Sequence, residues 1–164
     1  MKPTVAYHAD DLGHDEAANR GIERALAAGL VRSVSVRVVG DAVDEGAAIA
    51  RRYRDRVDVG LHFSLTEGRA LGGPAEGLTD LLGRFLPLPV LLASATLGLP
   101  HAASIRRELR AQLERARNLD LVFDHLDGRL AANEARPATT IGVVGWRVVV
   151  RPSGLQSRGW RREP

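Results

Sequence analysis

Asp10 and Asp11 stand side by side in His8-Ala9-Asp10-Asp11-Leu12-Gly13, at the end of a strand-like segment. Two adjacent carboxylates repel each other unless positive charge lies between or beside them. A divalent cation supplies that charge. One acid can then ligate the ion while its neighbour accepts a proton from water, the division of labour of metal-assisted hydrolysis. Two later segments, Val59-Gly60-Leu61-His62-Phe63 and Phe123-Asp124-His125-Leu126-Asp127, each offer a histidine. One Asp with two His makes an open site, with positions left for water and substrate. The chain has no cysteine, so thiolate ligands and disulfides are excluded and only nitrogen and oxygen donors remain.

The elements that must bring these residues together are legible as an alternation. Residues 4–9 read as a buried strand ending at the Asp pair. Asp15 can cap a helix running to about Leu26, with Gly29 as its stop and Gly21 allowing close packing on the sheet. Residues 33–39 form the next strand, and Asp41 can cap a second helix carrying Val43, Ala47, Ala50 and Tyr53 at helical spacing. Residues 57–63 alternate, with His62 on the face of Asp58 and Gly60. Residues 64–101 are a long connection, expected to be a lid or substrate wall with short helices near Leu81-Leu82 and around Val90 to Leu92. Residues 104–117 give an amphipathic helix with Ile105, Leu109, Leu113 and Ala116 as its apolar stripe, and residues 120–126 a fourth strand. This order predicts an α/β fold with a mainly parallel sheet, whose ligands bind beyond the carboxyl ends of the strands. Asp10, Asp11, His62 and His125 all fall at such ends.

The chain has 164 residues, 45% hydrophobic and 26% charged, a globular composition for one domain. Its basic balance is uneven. Residues 1–128 hold 16 basic and 18 acidic side chains, whereas residues 129–164 hold seven Arg and two Glu. The positive charge thus belongs to the tail, without the aromatic interleaving of a nucleic-acid surface, and nucleic acid ranks low as a partner. No signal-like or membrane-spanning stretch is read, so the expected place is the cytoplasm with no membrane contact.

Taken together, His8-Ala9-Asp10-Asp11-Leu12-Gly13, Asn19-Arg20-Gly21-Ile22, residues 58–68 and Asp124-His125-Leu126-Asp127-Gly128 resemble the YdjC-like carbohydrate deacetylases, the ChbG/HpnK family. The resemblance spans roughly residues 3–128. It implies a (β/α) barrel-like fold and removal of acetyl groups from N-acetylated sugars such as chitooligosaccharides, with one divalent metal ion. Magnesium is the first expectation, with zinc or manganese also suited to the donors. Carried over by position, Asp11, His62 and His125 resemble the metal ligands and Asp10 the catalytic base. Thr66, Glu67 and Arg69 are candidates for contact with the sugar. Asp127 reads either as a group orienting His125 or a water, or as a cap on the following turn. His8 reads as a strand side chain near the site, and His14 and His101 as solvent-facing.

The resemblance implies a continuation His-Leu-Asp-(Gly/Ser)-His-x-His, but Arg129 follows Gly128 and no histidine occurs after His125. Two units are therefore expected, a deacetylase-like α/β part over residues 1–128 and an Arg-rich tail over 129–164, with a frame change or truncation near residue 128. A full barrel takes roughly 250 residues, so four strands leave it incomplete, with a sheet edge open to a homodimer partner or to residues 141–150 as a substitute strand. Two other functions follow from the same residues. One is a catalytically impaired remnant that binds metal or sugar, and the other is nucleic-acid binding through the tail.

Overall fold

The computed structural model describes residues 7–128 and the backbone of 146–148. The element order is β1 (Tyr7–Leu12), α1 (Glu16–Ala27), β2 (Val31–Val36), α2 (Val43–Tyr53), β3 (Asp58–Phe63), α3 (Leu88–Thr96), α4 (Ala102–Asn118), β4 (His125–Gly128) and β5 (Trp146–Val148). The strands form one sheet in the order β1-β2-β3-β4-β5. The first four pair in parallel, and β5 pairs antiparallel with β4, inside the run 141–150. Among the described residues the sheet is an open segment of a barrel-like α/β fold. The expectations for residues 4–6, and for the rest of 129–164, lie outside the described residues.

Strand alternation divides the sheet into two chemistries. Leu12, Val34, Val36, Val59 and Leu61 are buried in one apolar cluster with Leu26, Val43, Ala47, Ile49 and Ala50 of α1 and α2. α1 packs on β1, α2 on β1 and β2, and α4 on β3. Sequential parallel strands joined by right-handed crossovers place their helices on one face in this way. The opposite face carries His8 and Asp10 from β1, Ser33 and Ser35 from β2, Gly60 and His62 from β3, and His125 and Asp127 from β4. Each pair is two residues apart, the spacing that keeps side chains on one side of a strand.

Several local expectations are corrected. β1 runs through the Asp pair to Leu12 rather than ending before it. β4 starts at His125 rather than at Asp120, which takes a left-handed conformation (φ 55°) as the chain leaves α4. The Asp124 backbone N–H then donates to the Val59 carbonyl, 2.8 Å, leading the chain into register beside β3. Asp15 does cap α1, accepting from the Ala18 N–H at 2.7 Å. Asp41 does not cap α2: Ala42 occupies that position without a side-chain cap, and the Asp41 N–H donates to the His14 carbonyl. A Cβ on Gly21 would meet nothing within 4 Å, so Gly21 does not mediate close packing.

The connection 64–101 has structure of its own. Ala70, Leu78, Phe85 and Leu91 form a second small core, with Val39, Leu65 and Ala75 packed against it. α3 covers the run around Val90, but Leu81 and Leu82 sit in an exposed turn rather than a helix. On α4 the expected apolar stripe packs on the main core through Leu109, Leu113 and buried Ala116, with Ile105 half-buried, but the most buried residues also include Glu108 and Gln112. The ridge is polar because it faces the backbone of this connection, not only side chains.

Candidate active site

The Asp pair owes its geometry to a break in the β1 ladder. Ala9 pairs with Val34 and Leu12 with Val36, so β1 has one residue more than β2 across this interval. Asp11 takes φ 67°, in the left-handed region that is uncommon for any residue except glycine. In an unbroken strand, neighbours point to opposite faces. The bulge instead turns both carboxylates to the same side of the sheet. Left-handed backbone at a non-glycine position is a local strain that persists where the surroundings hold it. Asn19 supplies part of that hold. Fully buried at the second turn of α1, it accepts from the Gly13 N–H at 2.7 Å and donates to the Ala42 carbonyl and to Glu45.

Asp127 lies at the centre of the cluster. Its Oδ1 is 3.0 Å from His62 Nδ1, and its Oδ2 is 3.1 Å from His8 Nε2 and 3.4 Å from His125 Nε2. His8 Nε2 is also 3.0 Å from Asp10 Oδ1, and its Nδ1 is 2.8 Å from Ser33 Oγ. Ser35 Oγ stands 3.3 Å from His62 Nδ1. Asp11 Oδ1 faces His62 Nε2 at 3.5 Å and Arg37 at 3.5 Å. Arg37 in turn is 2.8 Å from Glu67 Oε2 and 3.2 Å from His14 Nδ1.

These contacts set the protonation states. Burial disfavours the charged form of His8, but hydrogen bonds and the charges of Asp10 and Asp127 outweigh it and raise its pKa to about 9. The hydrogen bond from His8 holds Asp10 below the usual carboxylate range, against the opposing effect of burial. Burial opposes ionisation of Asp127 as well, yet the three histidines around it push its pKa far down. His62 is raised in the same way as His8, burial working against Asp127 and Asp11.

The donors suit a cation. Nδ1 of His125, a residue 2% exposed, has no partner, and His125 Nε2 and Asp11 Oδ1 have only ion pairs at 3.4–3.5 Å and no well-formed hydrogen bond. A buried polar atom without a partner is costly, and a metal ion is one way to satisfy it. Gly60 makes room for the His125 ring: a Cβ there would lie 2.2 Å from Nε2. Two groups of three among the described residues bring ligand atoms within 4.8 Å of one another, His8 with His125 and Asp127, and Asp10 with His62 and Asp127. Asp11 belongs to neither group, although its facing distance to His62 suits a shared ion.

Of the residues singled out in the sequence, Asp10, Asp11, His62, His125 and Asp127 converge on this face. Glu67 reaches it through Arg37. Thr66 is half-buried, and Arg69 is exposed, its backbone bridging Arg84. His8 is a central member rather than a neighbour. His14 is half-buried against Arg37, not free in solvent, whereas His101 is exposed. Ser33, Ser35 and Arg37 also contact this cluster. Their signal was the two-residue alternation of polar side chains along a strand rich in Val.

Fold and site together define a barrel-type α/β segment with a His–Asp cluster on its inner face. The chain belongs to the YdjC-like protein family, whose sequence model matches residues 4–140 and so runs past Gly128. It is 39% identical over 117 residues to the carbohydrate deacetylase of Mus musculus, covering 68% of this chain and 36% of that one. It is 38% identical over 88 residues to the chitooligosaccharide deacetylase of Citrobacter koseri, covering 52% of this chain and 34% of that one. The crystal structure of an Enterococcus faecalis V583 protein, proposed there as a cellobiose-phosphate cleavage protein, superposes with a TM-score of 0.62. That match has 24% identity over 74% of this chain and 46% of the other, and it speaks to the fold alone. The chain spans about half or less of the length of the curated relatives it matches.

Proposed function

We propose that this chain carries the catalytic face of a divalent-metal-dependent deacetylase acting on N-acetylated sugars of the chitooligosaccharide type. The observation that carries the reading is the convergence of three histidines and three aspartates from three strands, with Nδ1 of buried His125 unpartnered and its Nε2 held only by a 3.4 Å ion pair with Asp127. The names of its relatives, carbohydrate and chitooligosaccharide deacetylases, support the same substrate class.

Asp11 and His62 would hold the cation, with His125 completing the set. Bound there, a divalent ion supplies Lewis acidity, which polarises a carbonyl oxygen and makes water more acidic. Asp10 lies at the rim, its side chain 42% exposed, and it is ionised at neutral pH. It accepts the proton of the water that attacks the amide carbon. His8, protonated at neutral pH, donates to Asp10 and fixes its orientation. As the C–N bond breaks, the proton held by Asp10 passes to the departing amine. Glu67, Thr66 and Arg69 lie on the connection that follows β3 and are the candidate sugar contacts.

The spacing of the cluster favours a second ligand set centred on Asp127, with His62 and Asp10 or with His8 and His125. Single substitutions separate the two. Asp11→Ala weakens Mn2+ binding under the first set, and Asp127→Ala weakens it more under the second. Under the first set, Asp10→Asn keeps the ion while acetate release from acetylated chitooligosaccharides falls by about 10²–10⁴-fold, the usual worth of a positioned general base. Unchanged turnover in Asp10→Asn removes Asp10 from the chemistry. Metal binding with no acetate release from the full chain favours a binding remnant instead.

A further inference from the structure

Two of the most deeply buried side chains lie outside the cluster. Glu108 is 1% exposed and Gln112 is fully buried, one turn apart on α4. Glu108 accepts from the backbone N–H groups of Leu71 (3.2 Å) and Gly72 (2.7 Å), and from Gln112 Nε2 (2.8 Å). Gln112 also donates to the Ser64 carbonyl at 2.8 Å and accepts from the Ser64 N–H at 3.3 Å. The two side chains therefore hold both ends of the segment 64–72. If stability alone mattered, apolar residues on this ridge would avoid burying a carboxylate. Backbone-specific bonds instead select one path for the segment.

That path ends on the site. Glu67 lies between the two held ends and pairs with Arg37 at 2.8 Å. Gly68, at φ 87°, lets the chain pass so close to the segment after β2 that a Cβ would lie 2.9 Å from the Val39 carbonyl. Arg37 is 6% exposed, and its partners are Asp11, His14 and Glu67. We propose that Glu108 and Gln112 are positioning residues for Asp11, acting through the 64–72 segment, Glu67 and Arg37. Glu67 holds Arg37 Nη1 at 2.8 Å, and the same nitrogen faces Oδ1 of strained Asp11 at 3.5 Å, an ion pair that biases where the carboxylate sits. Glu67 is then a structural partner of Arg37 before it is a sugar contact.

The proposal rests on Asp11 having the role given above, so the test has one readout that needs no metal. In the full chain, the Arg37 guanidinium signals in a 15N–1H spectrum, those of Nη1 above all, report how the group is held, because its contacts with Asp11, His14 and Glu67 are all made by Nη1. Glu108→Gln keeps the shape but sets an amide N–H against donors, and it is expected to shift or broaden the Nη1 signal in the folded protein. Mn2+ affinity is expected to fall by about 10-fold, the lower end of the range for groups that orient ligands. In a Glu67→Gln background the same change should add nothing, because the link is already cut. Gly72→Ala, whose Cβ would press on Glu108 at 3.0 Å, is expected to shift the Arg37 signal in the same way if Glu108→Gln folds poorly. An unmoved Arg37 signal in a folded variant overturns the proposal, as do additive effects in the double variant. A wild-type chain that binds no Mn2+ refutes the metal reading, while the Arg37 signal still decides the coupling.

Discussion

Gly60→Ala is the smallest change that should disable the site. β3 and β4 pair Gly60 directly with His125, so a methyl group on Gly60 has one place to go. It would lie 2.2 Å from Nε2, 2.4 Å from Cδ2 and 2.6 Å from Cε1 of the ring. Nonbonded carbon contacts settle at roughly 3.5–4.0 Å, so the ring must retreat by about 1 Å or more. The backbone of β3 cannot yield easily, because it is paired on both sides. Overpacking of this kind costs about 1–3 kcal/mol of stability, which a domain of this size can survive. Displacing a ligand or reacting group by about 1 Å can cost around 10²-fold in turnover. The expected result is a folded protein with Mn2+ affinity and acetate release each down by about 10–100-fold. Calorimetric titration with Mn2+, beside an unfolding curve in urea, measures both effects. Wild-type metal affinity in folded Gly60→Ala would refute the placement of His125 among the ligands.

Three further outcomes follow from named contacts. Asn19→Ala orphans the buried Gly13 N–H and should cost roughly 1–3 kcal/mol in urea unfolding, with Mn2+ affinity falling if the Asp11 bulge relaxes. Asp124→Ala removes the carboxylate that pairs with Arg54 and accepts from the Val59 N–H at 3.0 Å, and it should destabilise by about the same amount. In metal-free protein, His8, with its pKa raised from 6.5 to about 9, contributes stability that is full below pH 6.5 and lost as pH rises through about 9. Asp10 and Asp127 are lowered from 3.8, so their contribution is present above that value and fades as pH falls below it. Melting temperature measured with a chelator should therefore fall between pH 6.5 and 9. A rise over that interval would contradict the His8 assignment. Added Mn2+ should offset the fall, since the ion competes with protons for the same ligands.

Much of this architecture is legible without coordinates, because it depends on local pattern. The two-residue alternation around His62, the cap at Asp15 and the order of strands and helices follow from short-range sterics and hydrophobic spacing. The four short motifs by which the chain resembles its family, and the chemical character of the Asp pair, are matters of residue identity alone. The placement of the bulge is not legible, since an extra residue in β1 exists only relative to β2. Nor is the role of His8, which depends on Asp127 arriving from 119 residues away to meet it at 3.1 Å. The polar ridge beside the apolar stripe of α4 is not legible for the same reason: Glu108 and Gln112 are buried against backbone atoms of a distant connection, which no helical periodicity encodes. The sequence by itself determined which groups could do chemistry. Only the tertiary structure decided which of them share a face, because lateral register between strands is set by packing across the sheet and not by the order of residues along it.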